Sequence, residues 1–208
     1  MAGEGRGITL SRRAVAFGLA ALPLAGCAPI GPDRDVLFIP ADKAAALTPD
    51  DPKRLLELIK LDPAIRLDMR YATANNFTGR VLYDEARAFL AAPAAQAVAR
   101  ASKAALADGF GLTIYDAYRP WHITKKLWDA TPVGPKKEYV ANPKRGSKHN
   151  RGCAVDLTLH DLQTGQLVEM PTEFDDFSEK AHRDYMGASA AAIANRARLA
   201  RYLEAEGF

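Results

Sequence analysis

The sequence predicts an α+β fold in which a small antiparallel sheet is flanked by helices. Residues 154–159 alternate between apolar and polar side chains, as a half-buried strand does, and residues 110–118 form a second strand-like stretch. Residues 84–108 are rich in alanine, the best helix former, and stop at Gly109, a residue type that often follows a helix end. Strand patterns beside a long helical pattern therefore favour a mixed domain.

The first segment, residues 1–27, has the pattern of an export signal. Ser11-Arg12-Arg13 precedes an apolar run ending at Ala25, which is too short to span a bilayer but fits the core of a signal peptide. The closing Leu24-Ala25-Gly26-Cys27 is typical of a bacterial lipoprotein, so Cys27 is the predicted acylation site, and the paired arginines indicate twin-arginine export. We therefore expect a lipid-anchored protein on the outer face of the cytoplasmic membrane. A disordered tail with an incidental cysteine is the alternative.

The remaining chain divides into a tether and one domain. Residues 28–49 contain four prolines and are predicted to lift the domain off the membrane, while residues 50–208 are enough for one hydrophobic core. The whole chain has a formal net charge of +3, and removal of the leader, with three arginines and one glutamate, leaves +1. A near-neutral domain gives no electrostatic reason to expect nucleic acid as a partner.

The domain is predicted to begin with a helix. Asp50-Asp51-Pro52 has helix-start chemistry, and Leu55, Leu56 and Ile59 follow at helical spacing. Residues 67–79 open as a strand and end in turn-forming residues. After the strand at 110–118, the sequence predicts a helix at 121–130, a loop at 131–146, a hairpin turn at 161–166 with a return strand at 167–170, and a last helix at 188–206.

The stretch 147–156, Ser-Lys-His-Asn-Arg-Gly-Cys-Ala-Val-Asp, carries the main functional motif. A neutral imidazole at His149 and a carboxylate at Asp156 are two of the three protein ligands that a catalytic zinc takes, and Gly152 allows a sharp turn between them. The spacing alone also fits an ordinary structural pair. The full pattern Ser-x-His-x-x-Gly-x-Ala-x-Asp, however, resembles the signature of the zinc D-Ala-D-Ala peptidases, which include the D-alanyl-D-alanine dipeptidases and related carboxypeptidases.

Two other stretches resemble the dipeptidases in particular. Residues 67–79 are similar to their N-terminal conserved region, and Phe-Asp-Asp-Phe at 174–177 is similar to a segment whose aspartate helps to hold the amino group of the dipeptide. The resemblance covers residues 61–208 and implies the fold more firmly than periodicity does. It implies four residues that contact the substrate, namely Tyr71, Asp116, Ser147 and Asp175.

A catalytic arginine is implied by Asp-Ala-Tyr-Arg-Pro at 116–120, which resembles the family pattern Asp-x-Tyr-Arg-Pro. The guanidinium of Arg119 stays charged at any relevant pH and presents forked donors to an oxygen that becomes negative during peptide hydrolysis. Taken alone, Arg119 fits equally well as an ion-pair partner of Asp116 or as a strand-end cap. With the other motifs present, stabilisation of the oxyanion is favoured.

One part of the family pattern is absent from this sequence. The family places a Glu-x-x-His motif after the last long helix, which supplies the general base and the third zinc ligand, whereas this sequence ends at Phe208 directly after the predicted helix. Glu179-Lys180-Ala181-His182 has the same letters, but the family carries a similar segment there in addition to its motif, so His182 is predicted to be structural. His122 and His160 are predicted to be surface or half-buried residues.

The predicted function is zinc-dependent hydrolysis of the dipeptide D-alanyl-D-alanine in cell-wall metabolism. One alternative is a carboxypeptidase that removes a terminal D-alanine from a peptidoglycan peptide, although an amino-group clamp formed by Asp116 and Asp175 argues against it. A second alternative is a catalytically inactive, lipid-anchored binding protein. If the chain is complete, two ligands predict weak zinc binding and negligible turnover.

Overall fold

The structure, a computed structural model, describes residue 51 and residues 53–208. The predicted leader and tether, and Cys27 with them, lie outside these residues. The described part forms five short strands and four α-helices, in the order β1 (Leu55–Glu57), α1 (Leu58–Leu61), β2 (Arg66–Leu67), β3 (Phe89–Ala91), α2 (Ala92–Ala107), β4 (Phe110–Asp116), α3 (Trp121–Ala130), β5 (Asp156–Asp161) and α4 (Ala190–Glu204).

The strands make two small sheets. In the larger sheet β4 is central, with β5 antiparallel on one side and the two-residue β2 parallel on the other. In the smaller sheet β1 pairs with β3 in antiparallel register. The α+β prediction is confirmed, with the added detail that β2 makes the larger sheet mixed.

The core lies between α2, the larger sheet and α4. The inward face of α2 consists mainly of alanines with no exposed surface, and small side chains allow the helix to pack close to β4. Leu112 and Leu159 from the sheet and Leu203 and Phe208 from the C-terminal end complete the same cluster. This packing supports the edge of the sheet where β4 ends and β5 begins.

The prediction of a helix beginning at 50–52 is wrong for the part that the structure describes. Leu55–Glu57 is a strand, and α1 is a single turn. The partner strand, Phe89–Ala91, comes from the beginning of the stretch predicted to be helical, and α2 therefore starts at Ala92, with a proline in its first turn. Pairing between distant segments outweighs local helical spacing here, as is common for strands.

The second half agrees more closely with the prediction. Trp121–Ala130 is helical over the predicted range, and Gly109 ends α2 with a φ of +86°. The predicted return strand after the hairpin turn is reduced to one bridge between His160 and Leu167. No helix among the described residues has the length and the apolar character needed to cross a membrane.

Candidate metal centre

The β4–β5 ladder brings two distant carboxylates together. Asp116 ends β4, Asp156 begins β5, and the two are paired across the ladder just beyond an irregularity that follows Ile114. Both are buried, Asp116 completely and Asp156 with 8% of its surface exposed. Because antiparallel strands place the end of one beside the beginning of the other, the sheet itself sets this distance.

The turn that carries His149 is anchored to the corner between β4 and α3. His149–Arg151 forms one 3-10 turn, and the backbone N–H of Arg119 donates to the carbonyl oxygen of His149 at 3.1 Å. The buried amide of Asn150 donates to the carbonyl oxygen of Arg119 at 2.7 Å and to the hydroxyl of Thr124 at 2.8 Å. These bonds fix the histidine relative to the strand ends.

Gly152 ends this turn, as the sequence predicted. Its φ is +66°, in the left-handed region that glycine adopts without a steric cost. A Cβ at this position would lie 2.7 Å from the backbone nitrogen of Ala91, which donates to the carbonyl oxygen of Gly152 at 3.0 Å. The glycine is therefore needed both for its conformation and for the close approach of β3.

The protonation state of His149 follows from its contacts. Nδ1 lies 2.8 Å from the carbonyl oxygen of Ala117, and because a carbonyl only accepts, Nδ1 carries the proton. Burial, and then the nearby positive charge of Arg119, lower the pKa of His149 to about 4, so the ring is neutral at pH 7. Nε2 therefore presents a lone pair, and it lies 3.6 Å from Oδ1 of Asp156.

This pair fits a zinc ion. Zinc binds imidazole nitrogen and carboxylate oxygen at about 2.0–2.2 Å in tetrahedral geometry, which puts two such ligand atoms about 3.4 Å apart. The 3.6 Å between Nε2 of His149 and Oδ1 of Asp156 is close to that value. Burial, and then the charge of Asp116, raise the pKa of the Asp156 carboxyl, because a negative charge here is costly without a cation. A dication would offset that cost.

Asp116 is a neighbour of this pair rather than a third ligand. Asp116, His149 and Asp156 form the one group of three potential ligand side chains in the described part of the chain. The oxygens of Asp116 are already engaged, however: Oδ1 accepts from the hydroxyl of Tyr83 at 2.7 Å and from the amide of Ala117 at 2.9 Å, and Oδ2 accepts from Arg119. Its closest approach to His149 is 3.7 Å from Nδ1, the nitrogen that carries the proton.

Arg119 is held in place by Asp116 and directed toward Asp156. Its Nε and Nη2 lie 2.8 and 2.6 Å from Oδ2 of Asp116, and Nη2 lies 3.7 Å from Oδ2 of Asp156. Burial lowers the pKa of Arg119, but the surrounding acidic groups, with Asp116 first among them, together outweigh burial and raise that pKa well above its usual value. The ion pair considered as an alternative role is thus present, and it also fixes the guanidinium beside the His149–Asp156 pair.

Tyr71 and Asp175, both predicted to contact the substrate, contact each other. The buried hydroxyl of Tyr71 donates to the carboxylate of Asp175, 3.0 Å from Oδ2 and 3.2 Å from Oδ1. The guanidinium of Arg119 lies over the Tyr71 ring, 5.3 Å from its centroid, which connects both residues to the site. The backbone of Asp175 has a φ of 59°, which is uncommon outside glycine. Burial raises the pKa of the Asp175 carboxyl to about 6, although the hydrogen bond from Tyr71 opposes this shift.

Ser147 supports the turn rather than reaching the metal ligands directly. Its hydroxyl oxygen accepts from the backbone N–H of His149 at 3.2 Å, and its own N–H donates to the side-chain oxygen of Asn150 at 2.7 Å. Nε2 of His182 lies 3.3 Å from the hydroxyl of Tyr139, and His182 is not part of the group of potential metal ligands among the described residues. Sequence reasoning missed Tyr83, which belongs to no recognisable motif.

A histidine and a carboxylate whose facing atoms fit one metal ion, beside a buried arginine, define the class of a metal-dependent hydrolase. Comparison with known proteins identifies the family within this class of hydrolases. The family model described as D-ala-D-ala dipeptidase matches residues 51–208, and the chain belongs to this family. The resemblance noted in the sequence is confirmed.

Three relatives show how far the similarity extends. The chain is 36% identical over 158 residues to the D-alanyl-D-alanine dipeptidase of Escherichia coli strain K12, a match that covers 76% of this chain and 80% of the relative. It is 35% identical over 161 residues to the D-alanyl-D-alanine dipeptidase of Enterococcus faecium, with 69% and 80% covered. It is 32% identical over 166 residues to the D-alanyl-D-alanine dipeptidase of Streptomyces coelicolor, with 72% and 82% covered.

Proposed function

We propose that this chain hydrolyses D-alanyl-D-alanine in cell-wall metabolism, with zinc held by His149 and Asp156. The observation that carries the proposal is the 3.6 Å separation between Nε2 of His149 and Oδ1 of Asp156. These two lone-pair donors belong to side chains that are only 14% and 12% exposed, and they need a cation between them. Membership of the D-ala-D-ala dipeptidase family and the names of the relatives support the substrate.

Arg119 stabilises the charge that develops during hydrolysis. A bound zinc ion would supply Lewis acidity, which polarises a carbonyl and makes water more acidic. As the scissile carbonyl carbon becomes tetrahedral, its oxygen gains negative charge, and the guanidinium donates hydrogen bonds to that oxygen. Asp116 holds the guanidinium in place before the reaction, so little reorganisation is needed.

The substrate is oriented at both ends. The carboxylate of Asp175, positioned by Tyr71, receives the ammonium group of the dipeptide, and the hydroxyl of Ser147 meets its carboxylate. Asp116 contributes negative charge to the ammonium site, but its oxygens already accept from Tyr83, Ala117 and Arg119, which favours Asp175 as the direct partner. Because a buried carboxylate needs a charged ammonium group as its partner, the site favours a free dipeptide. In a longer peptide the corresponding nitrogen is part of an amide and carries no charge.

The family resemblance implies that a glutamate in a Glu-x-x-His motif shuttles the proton, and we assign this role to no described residue. Asp116 is saturated with donors, and Asp175 is bonded to Tyr71, so neither carboxylate is poised to take a proton from water beside the His149–Asp156 pair. Reading the coding sequence in frame beyond the codon for Phe208 would test for that motif.

The test of function uses the zinc-loaded protein expressed from its complete coding sequence and compares three substrates: D-Ala-D-Ala, N-acetyl-D-Ala-D-Ala and L-Ala-L-Ala. We expect release of D-alanine from the free D,D-dipeptide and little or none from the other two. Equal or faster cleavage of the acetylated substrate would favour the carboxypeptidase alternative. Saturable binding of D-Ala-D-Ala without release of D-alanine would favour the inactive binding protein.

We also propose that the chain is exported and anchored through a lipid on Cys27. The support is the sequence pattern alone, from Ser11-Arg12-Arg13 through the apolar run to Leu24-Ala25-Gly26-Cys27. Metabolic labelling with a palmitate analogue should mark the membrane-bound protein, and Cys27→Ala should lose the label. Equal labelling of the two proteins would contradict acylation at this residue.

A further inference from the structure

We propose that Tyr83 is a positioning residue that acts through Asp116 to hold Arg119 against the His149–Asp156 pair. The proposal rests on the proposed hydrolytic function, because Arg119 is the group whose position it explains. Nothing in the sequence motifs marks Tyr83.

Hydrogen-bond donors engage both carboxylate oxygens of Asp116. Oδ2 is engaged by Arg119, and Oδ1 accepts from the amide of Ala117 at 2.9 Å and from the hydroxyl of Tyr83 at 2.7 Å. Ala117 and Arg119 lie one and three residues after Asp116 in the chain, so they move with the end of β4. Of these three donors, Tyr83 alone comes from a different segment, and it therefore fixes the carboxylate relative to the rest of the site.

Tyr83 is itself well anchored. The backbone N–H groups of Leu82 and Tyr83 donate to the carbonyl oxygen of Tyr71 at 2.8 and 3.0 Å. The rings of Tyr71 and Tyr83 meet edge to face, with centroids 6.0 Å apart. Burial raises the pKa of the Tyr83 hydroxyl well above its usual value, so the group stays protonated and can only act as the donor toward Asp116.

Loss of this hydroxyl would release one oxygen of a fully buried carboxylate. Asp116 has no exposed surface, so bulk water cannot replace the missing donor at Oδ1. The carboxylate of Asp116 would then rotate toward its remaining donors. Nδ1 of His149, which now lies 3.7 Å from Oδ2, is one donor toward which it could rotate. Rotation of Asp116 would shift the Nη2 group of Arg119, which now lies 3.7 Å from Asp156.

The kinetic test is Tyr83→Phe, with Tyr202→Phe as the matched control. Tyr202 is buried, whereas Tyr83 is partly buried. The hydroxyl of Tyr202 likewise donates to a carboxylate, that of Asp108 at 2.6 Å, but Tyr202 lies on α4 away from the site. We expect Tyr83→Phe to lower kcat about tenfold with KM changed less than about twofold, because a mispositioned Arg119 weakens only the transition state. Tyr202→Phe should leave both constants unchanged.

A double-variant experiment and a spectroscopic measurement separate positioning from a general structural effect. In an Arg119→Lys background, Tyr83→Phe should add less than about a twofold further loss in kcat, because both changes act through the same group. In the metal-free protein, hydrogen exchange at Nε–H of Arg119, followed by NMR, should be about tenfold faster in Tyr83→Phe than in the wild type or in Tyr202→Phe.

Three results would overturn the proposal: unchanged Nε–H exchange in Tyr83→Phe, a full multiplicative loss in the double variant, or a rise in KM without a fall in kcat. The last result would indicate contact with the substrate instead. If the wild type does not cleave D-Ala-D-Ala, the proposed function fails, whereas the exchange measurement still decides the role of Tyr83.

Discussion

Nε2 of His149 and Oδ1 of Asp156 face each other at 3.6 Å, and each atom presents a lone pair to the other. The proton of His149 is bonded to the carbonyl oxygen of Ala117, so the imidazole has no proton to donate to an ionised Asp156. Two buried acceptors that face each other are unfavourable unless a proton or a cation lies between them. The raised pKa of Asp156 reflects that cost, and a bound metal cation would remove it.

Arg119 should matter more for turnover than for binding. Arg119→Lys keeps a positive charge beside Asp116 but loses the forked pair of N–H donors of the guanidinium. We expect kcat to fall by about 10²–10³, the loss typical of removing one oxyanion donor, with little change in KM. Steady-state kinetics on D-Ala-D-Ala would measure both constants. Arg87→Lys, at an ion pair with Glu57 on another part of the domain, is the control and should leave kcat unchanged. A rise in KM alone would assign Arg119 to substrate binding.

Asp175 should make substrate binding depend on pH. Its pKa is raised to about 6 by burial, so its carboxyl ionises as the pH rises from 5 to 7, and KM should fall over that range because the ammonium group needs the charged form. Asp175→Asn keeps a residue type that tolerates the observed φ of 59° and should show a high KM that does not vary between pH 5 and 7. A KM that still falls in this variant would assign the pH dependence to another group.

The same ionisation has the opposite effect on folding. Because the folded pKa of Asp175 is above the unfolded value of 3.8, its contribution to stability is fully present below that value and is lost as the pH rises through about 6. Asp175→Asn should therefore gain stability relative to the wild type as the pH rises from 4 to 7. Urea denaturation of the metal-free proteins at a series of pH values would measure this difference, and a constant difference would contradict it.

Gly152 should be needed for stability and for the metal site. Gly152→Ala adds a Cβ at 2.7 Å from the nitrogen of Ala91 and forces alanine to a φ of +66°. Gly79→Ala is a matched control, because its φ is +64° but no atom lies within 4 Å of the new Cβ. We expect the control to lose about 1 kcal/mol through backbone strain, and Gly152→Ala to lose about 1–3 kcal/mol more. Equal losses, with unchanged zinc affinity, would show that the approach of β3 is not restrictive.

Glu57 should support the fold against acid. Hydrogen bonds from Arg87, and then from Lys60, lower its pKa to about 2, so its contribution is present above the unfolded value of 4.5 and is lost as the pH falls toward 2. Glu57→Gln should therefore be less stable than the wild type at pH 7 and nearly equal to it near pH 2. Glu85→Gln removes an exposed partner of the same arginine and should change little at either pH.

Local signals in the sequence were enough to predict part of the fold. The helix at Trp121–Ala130 follows directly after Pro120, and Gly109 stops α2, so both boundaries are marked in the sequence. The strand Leu55–Glu57 was missed because its leucines also suit a helix and its partner, Phe89–Ala91, is far away in the chain. Strand pairing of this kind leaves little local trace.

The candidate site was likewise predictable only where its residues are close together in the sequence. His149, Gly152 and Asp156 lie in one motif, whose spacing already suggests a turn between two ligands. The hydrogen bond between Tyr83 and Asp116, by contrast, joins two segments with no common pattern, and it shows that Asp116 is saturated with donors. Only the folded arrangement distinguishes Asp116, whose carboxylate orients Arg119, from Asp156, whose carboxylate is the proposed metal ligand.

Zinc titration of the wild-type chain by calorimetry, alongside His149→Ala and Asp156→Ala, tests the central claim most directly. We predict one zinc per chain in the wild type and in His122→Ala, and an affinity at least about tenfold lower in each ligand variant. His182→Ala should bind zinc as the wild type does. Wild-type affinity in His149→Ala or Asp156→Ala, or loss of binding in His182→Ala, would contradict the assignment of the metal to the His149–Asp156 pair.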